Sequence, residues 1–249
     1  MRVLIHSCPL LLPSAPPAAG ELHVWIVRFS HLWCDPDHFV QCLTPDERDR
    51  AERYRIGPVR DQFVTCRGAI RRLLGGCLGV PPHAVPITYA ANGKPVLVGG
   101  QLEFNVTHTT GLALLAVGTT RVGVDVERVR DVPDRDGLVE RFFSPAEREA
   151  YRELPADRRN AAFYRGWVCK EAVIKAAGAS MQYLDGFDVE LDPDRPSAVL
   201  AVRHQALAGT SWSVRDWTPA EGYAGAIATE VGAELQILMA GERNGKIVE

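Results

Sequence analysis

Two helix starts of the same form, one in each half of the chain, restrict its architecture more than any other feature. Thr44-Pro45-Asp46-Glu47 and Ser144-Pro145-Ala146-Glu147 each place an N-cap hydroxyl before a proline, with glutamate at the capping-box position. A longer helical stripe follows each. The first has Phe63, Val64, Ala69, Ile70, Leu73 and Leu74 and is expected to end at Gly75-Gly76; the second runs over 160–177 and stops at Gly178. Strand-like segments surround them, at 21–29, 102–107 and 112–117 in the first half, with an Asn92-Gly93 hairpin turn between 87–90 and 95–98. The second half offers 121–126, 187–191, 198–202, 212–217 and 223–229. Aligning Phe63, Arg67, Ile70 and Arg71 with Trp167, Glu171, Ile174 and Lys175 matches aromatic, charged, apolar and basic positions at identical spacing. The expectation is an α+β fold: a pseudo-two-fold pair of similar lobes, each a small antiparallel sheet packed on a long helix, with the site in the cleft between them. The expected divisions are a flexible lead-in at 1–20, lobes at 21–118 and 119–230, and a tail at 231–249 with little that demands order.

Charge and cysteine usage remove several function classes. With 28 basic and 31 acidic side chains in 249 residues, the net charge is −3, which argues against a dedicated nucleic-acid binder. No apolar run approaches the ~18 residues of a transmembrane helix, so no membrane role is expected. His6, Ser7 and Pro9 break the N-terminal apolar run too often for a secretory signal. The six cysteines are scattered without a C-x-x-C pair, which points to free thiols and the cytoplasm. His31, Cys34, His38 and Cys42 imitate a zinc site, but they do not pair like ligands in a knuckle and lead straight into a helix start, so solvated or half-buried side chains are expected instead.

Five groups of residues carry chemistry. In Gly123-Val124-Asp125-Val126-Glu127, strand alternation puts both carboxylates on one face and the valines on the other. Such a pair wants a cation, and all-oxygen ligation selects Mg²⁺ or a similar hard ion; pairing with Arg121 and Arg128 on an edge strand is the plainer alternative. In the run from Trp167 to Lys175, helical spacing lines up Trp167, Glu171 and Lys175 with Lys170 beside them. Lysine is scarce, four among 28 basic residues, so two lysines flanking a glutamate suggest a compact donor rather than a solvated ion pair. The basic stretch from Arg48 to Arg72 includes Arg67 and Arg71 one turn apart, a grip for a phosphate unless the face is simply solvated. Asn92-Gly93-Lys94-Pro95 sets a third lysine on a tight turn. Phe104-Asn105-Val106-Thr107-His108-Thr109 presents Asn105, Thr107 and Thr109 on one strand face and adds a histidine.

In this order and spacing the motifs resemble the 4′-phosphopantetheinyl transferase superfamily, in its larger two-lobed, surfactin-synthetase-activator form, over roughly residues 22–229. The resemblance implies that Asp125, Glu127 and Glu171 bind Mg²⁺ (or Mn²⁺) on the coenzyme A pyrophosphate, and that Lys175 contacts the phosphates and protonates the departing group. It implies coenzyme A contacts from Arg48, Arg67, Arg71, Asn92, Gly93, Lys94, Pro95, Asn105, Thr107, His108, Lys170 and Lys175. The chain departs from the family at Thr107 and Thr109, where serine is frequent, at Val168, and at Glu47, Arg48 and Arg50, where lysines are common.

The implied reaction moves phosphopantetheine from coenzyme A to a serine of an apo acyl or peptidyl carrier protein and releases 3′,5′-ADP. It needs positioning and charge neutralisation more than covalent help, with Glu171, or a metal-bound water held by it, as base and Asp125 and Lys175 beside it. Two other classes stay open: a metal-dependent phosphohydrolase, and a non-catalytic module that binds coenzyme A or a carrier. Mixing with coenzyme A, Mg²⁺ and an apo carrier separates them as transfer, hydrolysis or neither. Two similar lobes in one chain also predict a monomer.

Overall fold

A computed structural model of the chain describes residues 1–7, 13–30, 35–100, 102–230, 232, 234–239, 242–243 and 246–247. In chain order it contains β1 (Arg2–His6), β2 (Glu21–Arg28), the short α1 (Asp37–Val40), α2 (Pro45–Glu52) and α3 (Gly57–Leu78). The hairpin β3 (Ile87–Tyr89) and β4 (Pro95–Leu97) follows, then β5 (Glu103–Thr109), β6 (Leu112–Gly118) and β7 (Val122–Arg128). The remainder comprises α4 (Arg135–Phe142), α5 (Pro145–Glu153), α6 (Arg159–Ala177), β8 (Phe187–Val189), β9 (Val199–Val202), β10 (Ser213–Trp217), β11 (Tyr223–Thr229), β12 (Gln236–Met239) and the two-residue strands β13 (Glu242–Arg243) and β14 (Lys246–Ile247).

The architecture is α+β, with two lobes stacked as four layers. The first sheet has the order β12-β1-β2-β6-β5 and the second β10-β11-β7. Their inner faces share one apolar core, in which Val3, Val24 and Leu114 meet Val122, Val124, Val126 and Ile227. On the outer face of the first sheet, Ile70, Leu73 and Leu74 of α3 pack against Trp25, Leu115 and Val117. On the outer face of the second, Ala172, Val173 and Ala176 of α6 pack against Val214, Ala226 and Ala228. The facing edges β5 and β7 are joined by a side chain: Asn105 Oδ1 accepts the Val124 N–H at 2.9 Å. That seam carries Thr107 and Asp125, two of the residues singled out in the sequence.

Both capping boxes form, with Glu47 and Glu147 each closing back on the N-cap residue. Four expectations are corrected. Residues 2–6 of the supposed lead-in are a strand, and 236–239 of the supposed tail are another, pairing with it in parallel, Arg2 with Gln236. The β1–β2 pair is parallel too, so the first sheet is mixed rather than antiparallel. The first long helix runs through Gly75-Gly76 and ends at Gly79 in the left-handed conformation, φ +67°. A Cβ at Gly76 would stand 2.4 Å from the Pro13 carbonyl oxygen, so that glycine serves close packing, not termination. Of the zinc-like cluster, His31 and Cys34 lie outside the described residues, while His38 is exposed and Cys42 buried. Among the described residues no helix is long and apolar enough to cross a membrane.

The β1–β2 pair of the first sheet contains an acid-sensitive element. His6 Nε2 lies 3.3 Å from His23 Nδ1, and the His6 ring stacks on Trp25 with centroids 4.8 Å apart. Burial, reinforced by His23, drives His6 from 6.5 down to about 4. A depressed folded value gives stability that is complete above the unfolded value and is lost as pH falls from about 6.5 towards 4. The expected loss is on the order of 1–2 kcal/mol after allowing for partial exposure. Urea midpoints at pH 7.5 and pH 5 should separate less in His6→Gln than in wild type; equal separations would contradict the assignment.

Candidate active site

The acidic motif is placed by its glycine. A Cβ on Gly123 would stand 2.0 Å from the Ala172 carbonyl oxygen, so only glycine lets α6 lie this close over β7. With the valines of β7 directed into the inter-sheet core, period-two geometry turns Asp125 and Glu127 towards α6. From α6, Glu171 and Lys175 arrive on one face, and Lys175 Nζ is 3.9 Å from Glu171 Oε2.

Asp125 is the centre of the cluster. It is buried, and its Oδ1 accepts from Lys175 Nζ at 2.6 Å and from the Thr107 hydroxyl at 3.0 Å. Lys175 also donates to Thr107 Oγ1 at 3.3 Å, so β5, β7 and α6 converge on one carboxylate. The second oxygen, Oδ2, is buried with no hydrogen-bond partner. Glu171 is raised to about 7, chiefly by burial, with Lys175 opposing and the charges of Asp125 and Glu127 adding to the rise. Glu127 is also pushed up, by burial and then by Asp125, against Lys175, Arg130 and a hydrogen bond from Trp167. The Trp167 indole is held edge-on against Phe142, with centroids 5.5 Å apart. Two acids raised in part by a neighbouring carboxylate, beside Asp125 with its orphaned oxygen, form a donor set that a hard divalent cation fits. Among the described residues, however, no three such side chains stand close enough to hold an ion as they are placed.

Two cavities flank the cluster and share Val106. One, of about 290 Å³, is lined by Asn92, Gly93, Lys94, Pro95, Asn105, Glu171 and Lys175. The other, of about 320 Å³, is lined by Arg50, Tyr54, Gln62, Phe63, Arg67, Tyr89 and His108. An elongated ligand lying across Val106 would meet carboxylates and an ammonium at one end and arginines with aromatic rings at the other. His108 lies near the Gln62 amide at 3.3 Å, and its imidazole is lowered by partial loss of hydration and by Lys175. Tyr89, which the sequence did not single out, lies under the Arg67 guanidinium and accepts from it at 2.9 Å.

Several residues expected to touch coenzyme A have other duties. Lys170 is buried away from the cavities, donating to both Glu147 oxygens at 2.8 and 2.6 Å and to the Phe187 carbonyl at 2.7 Å. Neighbours on a helix differ by about 100°, so Lys170 points inward where Glu171 lines the cavity. Arg71 is likewise buried, held by Glu47 and by the Pro82 and Val85 carbonyls at 3.2 and 3.1 Å. Arg67 shares Glu47 with it, which breaks up the expected two-arginine phosphate grip. Arg48 turns to the Val40 carbonyl at 3.2 Å and completes the end of α1. Asn105 spends its carbonyl oxygen on the seam, and the Asn92 and Lys94 side chains reach across to α6.

The 4′-phosphopantetheinyl transferase superfamily model matches residues 121–228, the stretch that includes Asp125, Glu127, Glu171 and Lys175. The 4′-phosphopantetheinyl transferase HetI of Nostoc sp. is 33% identical over 221 residues, covering 87% of this chain and 90% of that protein. The 4′-phosphopantetheinyl transferase psf-1 of Bacillus pumilus is 29% identical over 163 residues, 65% of this chain and 69% of its own. A solved holo-[acyl-carrier-protein] synthase of Thermotoga maritima covers 44% of this chain and 61% of its own at 18% identity and a TM-score of 0.35, a likeness too slight to argue from. On the similarity to the Nostoc protein, which spans nearly the whole of both chains, this chain belongs to the 4′-phosphopantetheinyl transferase superfamily and is an enzyme of that kind.

Proposed function

We propose that the enzyme transfers phosphopantetheine from coenzyme A to a serine of an apo acyl or peptidyl carrier protein, with 3′,5′-ADP as the other product. One observation carries the reading: Asp125, Glu171 and Lys175 meet at the seam of the two lobes, beside cavities that run to Arg67 and His108. The serine Oγ forms a bond to the β-phosphorus, and the bond from that phosphorus to the bridging oxygen breaks. Glu171 takes the serine proton; it is raised to about 7, chiefly by burial, close to neutral pH, which suits a general base. Lys175 faces the bridging oxygen, offsets its charge and supplies its proton. Thr107 steadies the Lys175–Asp125 contact. Arg67 and His108 hold the adenosine end, and the turn from Asn92 to Pro95, through its backbone and Pro95, contacts coenzyme A on the Lys175 side.

Asp125, Glu127 and Glu171 are the residues that would hold Mg²⁺ or Mn²⁺, and Asp125 Oδ2 is the oxygen without another partner. When bound, such an ion supplies charge neutralisation at the pyrophosphate. The enzyme acts as a monomer in the cytoplasm, in keeping with the buried thiols Cys42, Cys77 and Cys169.

The test is a mass measurement on an apo carrier incubated with coenzyme A. Transfer is expected with Mg²⁺, is lost in excess chelator and returns when Mg²⁺ or Mn²⁺ is restored. Among the ligands, Asp125→Ala and Glu171→Ala should each cost more activity than Glu127→Ala, since water can replace the less buried carboxylate. Full transfer in chelator would remove the metal from the proposal. Hydrolysis of coenzyme A without transfer would make the enzyme a phosphohydrolase, and binding without turnover a non-catalytic module.

A further inference from the structure

The last turn of α6, which carries Lys175, is finished by the other lobe. A helix leaves its final carbonyls without intrahelical partners, and Gly178, at φ +65°, answers only part of that need by turning its own N–H back to Ile174 and Lys175. From the β3–β4 turn, Asn92 Nδ2 donates to the Gly178 carbonyl at 2.6 Å and Lys94 Nζ donates to the Lys175 carbonyl at 2.9 Å. The turn is built for this reach. Asn92 Oδ1 accepts the Lys94 N–H at 3.0 Å, and Gly93 N–H closes on the Ala90 carbonyl at 2.8 Å, so both side chains leave a fixed platform. A lysine ammonium at a helix C-terminus also meets the negative end of the helix dipole.

We infer that Asn92 and Lys94 are positioning residues: they clasp the end of α6 to the first lobe and thereby fix Lys175 and Glu171 over Asp125. The inference rests on the proposed role of Lys175 and assigns the two side chains to the helix rather than to coenzyme A. Turn and helix face each other across the same cavity, so the clasp also sets the width of the space in which the pyrophosphate would lie. Without it, the turn from Lys175 to Gly178 loses two donors that come from outside the helix and frays. Lys175 then samples positions away from Asp125. The reacting groups are misplaced more than the ligand is released, so turnover suffers before affinity does.

The test uses the full chain and three variants, Lys94→Met, Lys94→Arg and Asn92→Ala. Hydrogen exchange of amides 176–180 in the protein alone reads the clasp directly, and kcat and KM for coenzyme A read its consequence. Lys94→Met is expected to speed exchange there by about tenfold and to lower kcat by a similar factor, the effect of one charge-assisted hydrogen bond, with KM changed less than about threefold. Asn92→Ala should act in the same direction, and Lys94→Arg, which keeps a charged donor, should restore most of both readouts. A raised KM with unchanged exchange and kcat would make Lys94 a ligand contact and overturn the inference, as would unchanged exchange with any loss of kcat. The exchange measurement needs no substrate, so a failure of the transferase reading leaves the clasp separately tested.

Discussion

Lys175→Arg should lower turnover by on the order of 10²-fold while changing coenzyme A affinity much less. If Lys175 served only as the i,i+4 partner of Glu171, arginine would preserve the charge and leave the rate within about twofold, because exposed pairs are worth only ~0.3–0.5 kcal/mol. The structure makes that reading weak. Lys175 Nζ is 3.9 Å from Glu171 but 2.6 Å from Asp125, a residue of another element, and it is more than two-thirds buried at 28% exposure. A planar guanidinium fills that space differently from an ammonium and does not give up a proton at any working pH. One preorganised donor in a closed site is worth ~3–4 kcal/mol of transition-state stabilisation, and the interaction grows only as charge develops on the leaving oxygen. The measurement is kcat and KM for Lys175→Arg beside Lys246→Arg, a lysine outside every motif. Equal, near-wild-type behaviour of the two would return Lys175 to a merely structural role.

The parts of this site that were legible in the sequence are those fixed by short-range periodicity. Strand alternation places Asp125 and Glu127 on one face whatever else the chain does, and helical spacing does the same for Glu171 and Lys175. Both capping boxes also announce themselves, because Thr44 and Ser144 need only their own helix to be satisfied. What the sequence hides is which side of each helix meets the protein interior. Lys170 and Lys175 read as equivalent donors, yet one is sealed against Glu147 and the other lies at the cleft. The strands at 2–6 and 236–239 were equally hidden, since their pairing joins the two ends of the chain and leaves no local signal.

The two halves do share a pattern, but in another register from the one the spacing suggests. Matching Phe63 with Trp167 pairs Arg71 with Lys175, whereas the contacts pair Arg71 with Lys170. Each of those cations is held by the capping-box glutamate of its own half, Glu47 or Glu147, and each also donates to a carbonyl beyond its long helix. The left-handed glycines that end the two long helices, Gly79 and Gly178, follow the same register. What is repeated is therefore a structural device, a buried cation tying a long helix to the helix start before it. The cleft-facing pair of α6 is not repeated: in this register Arg72 and Gly76 stand where α6 has Glu171 and Lys175.

That device predicts that Lys170→Met destabilises the fold by about 3–5 kcal/mol, the usual cost of removing one partner of a buried ion pair. Lys170 is 1% exposed, and its ammonium lies 4.4 Å from the Phe187 ring centre besides its three hydrogen bonds. Glu147 has other partners, the Ser144 and Val189 N–H groups, each at 2.8 Å, but among the described residues no second cation forms an ion pair with it. Burial already pushes the Glu147 carboxyl up and the Lys170 ammonium down, each being the other's main counter-charge. Without Lys170 the carboxyl rises further. A folded value above the unfolded one gives stability that is complete at low pH and is lost as pH rises. The deficit of Lys170→Met should therefore be larger at pH 7.5 than at pH 5, and adding Glu147→Gln should recover much of it by removing the unpaired charge. Urea midpoints of the single and double variants at both pH values give the answer. An unchanged midpoint with a large loss of coenzyme A affinity would instead restore Lys170 to the ligand-binding role that its motif implies.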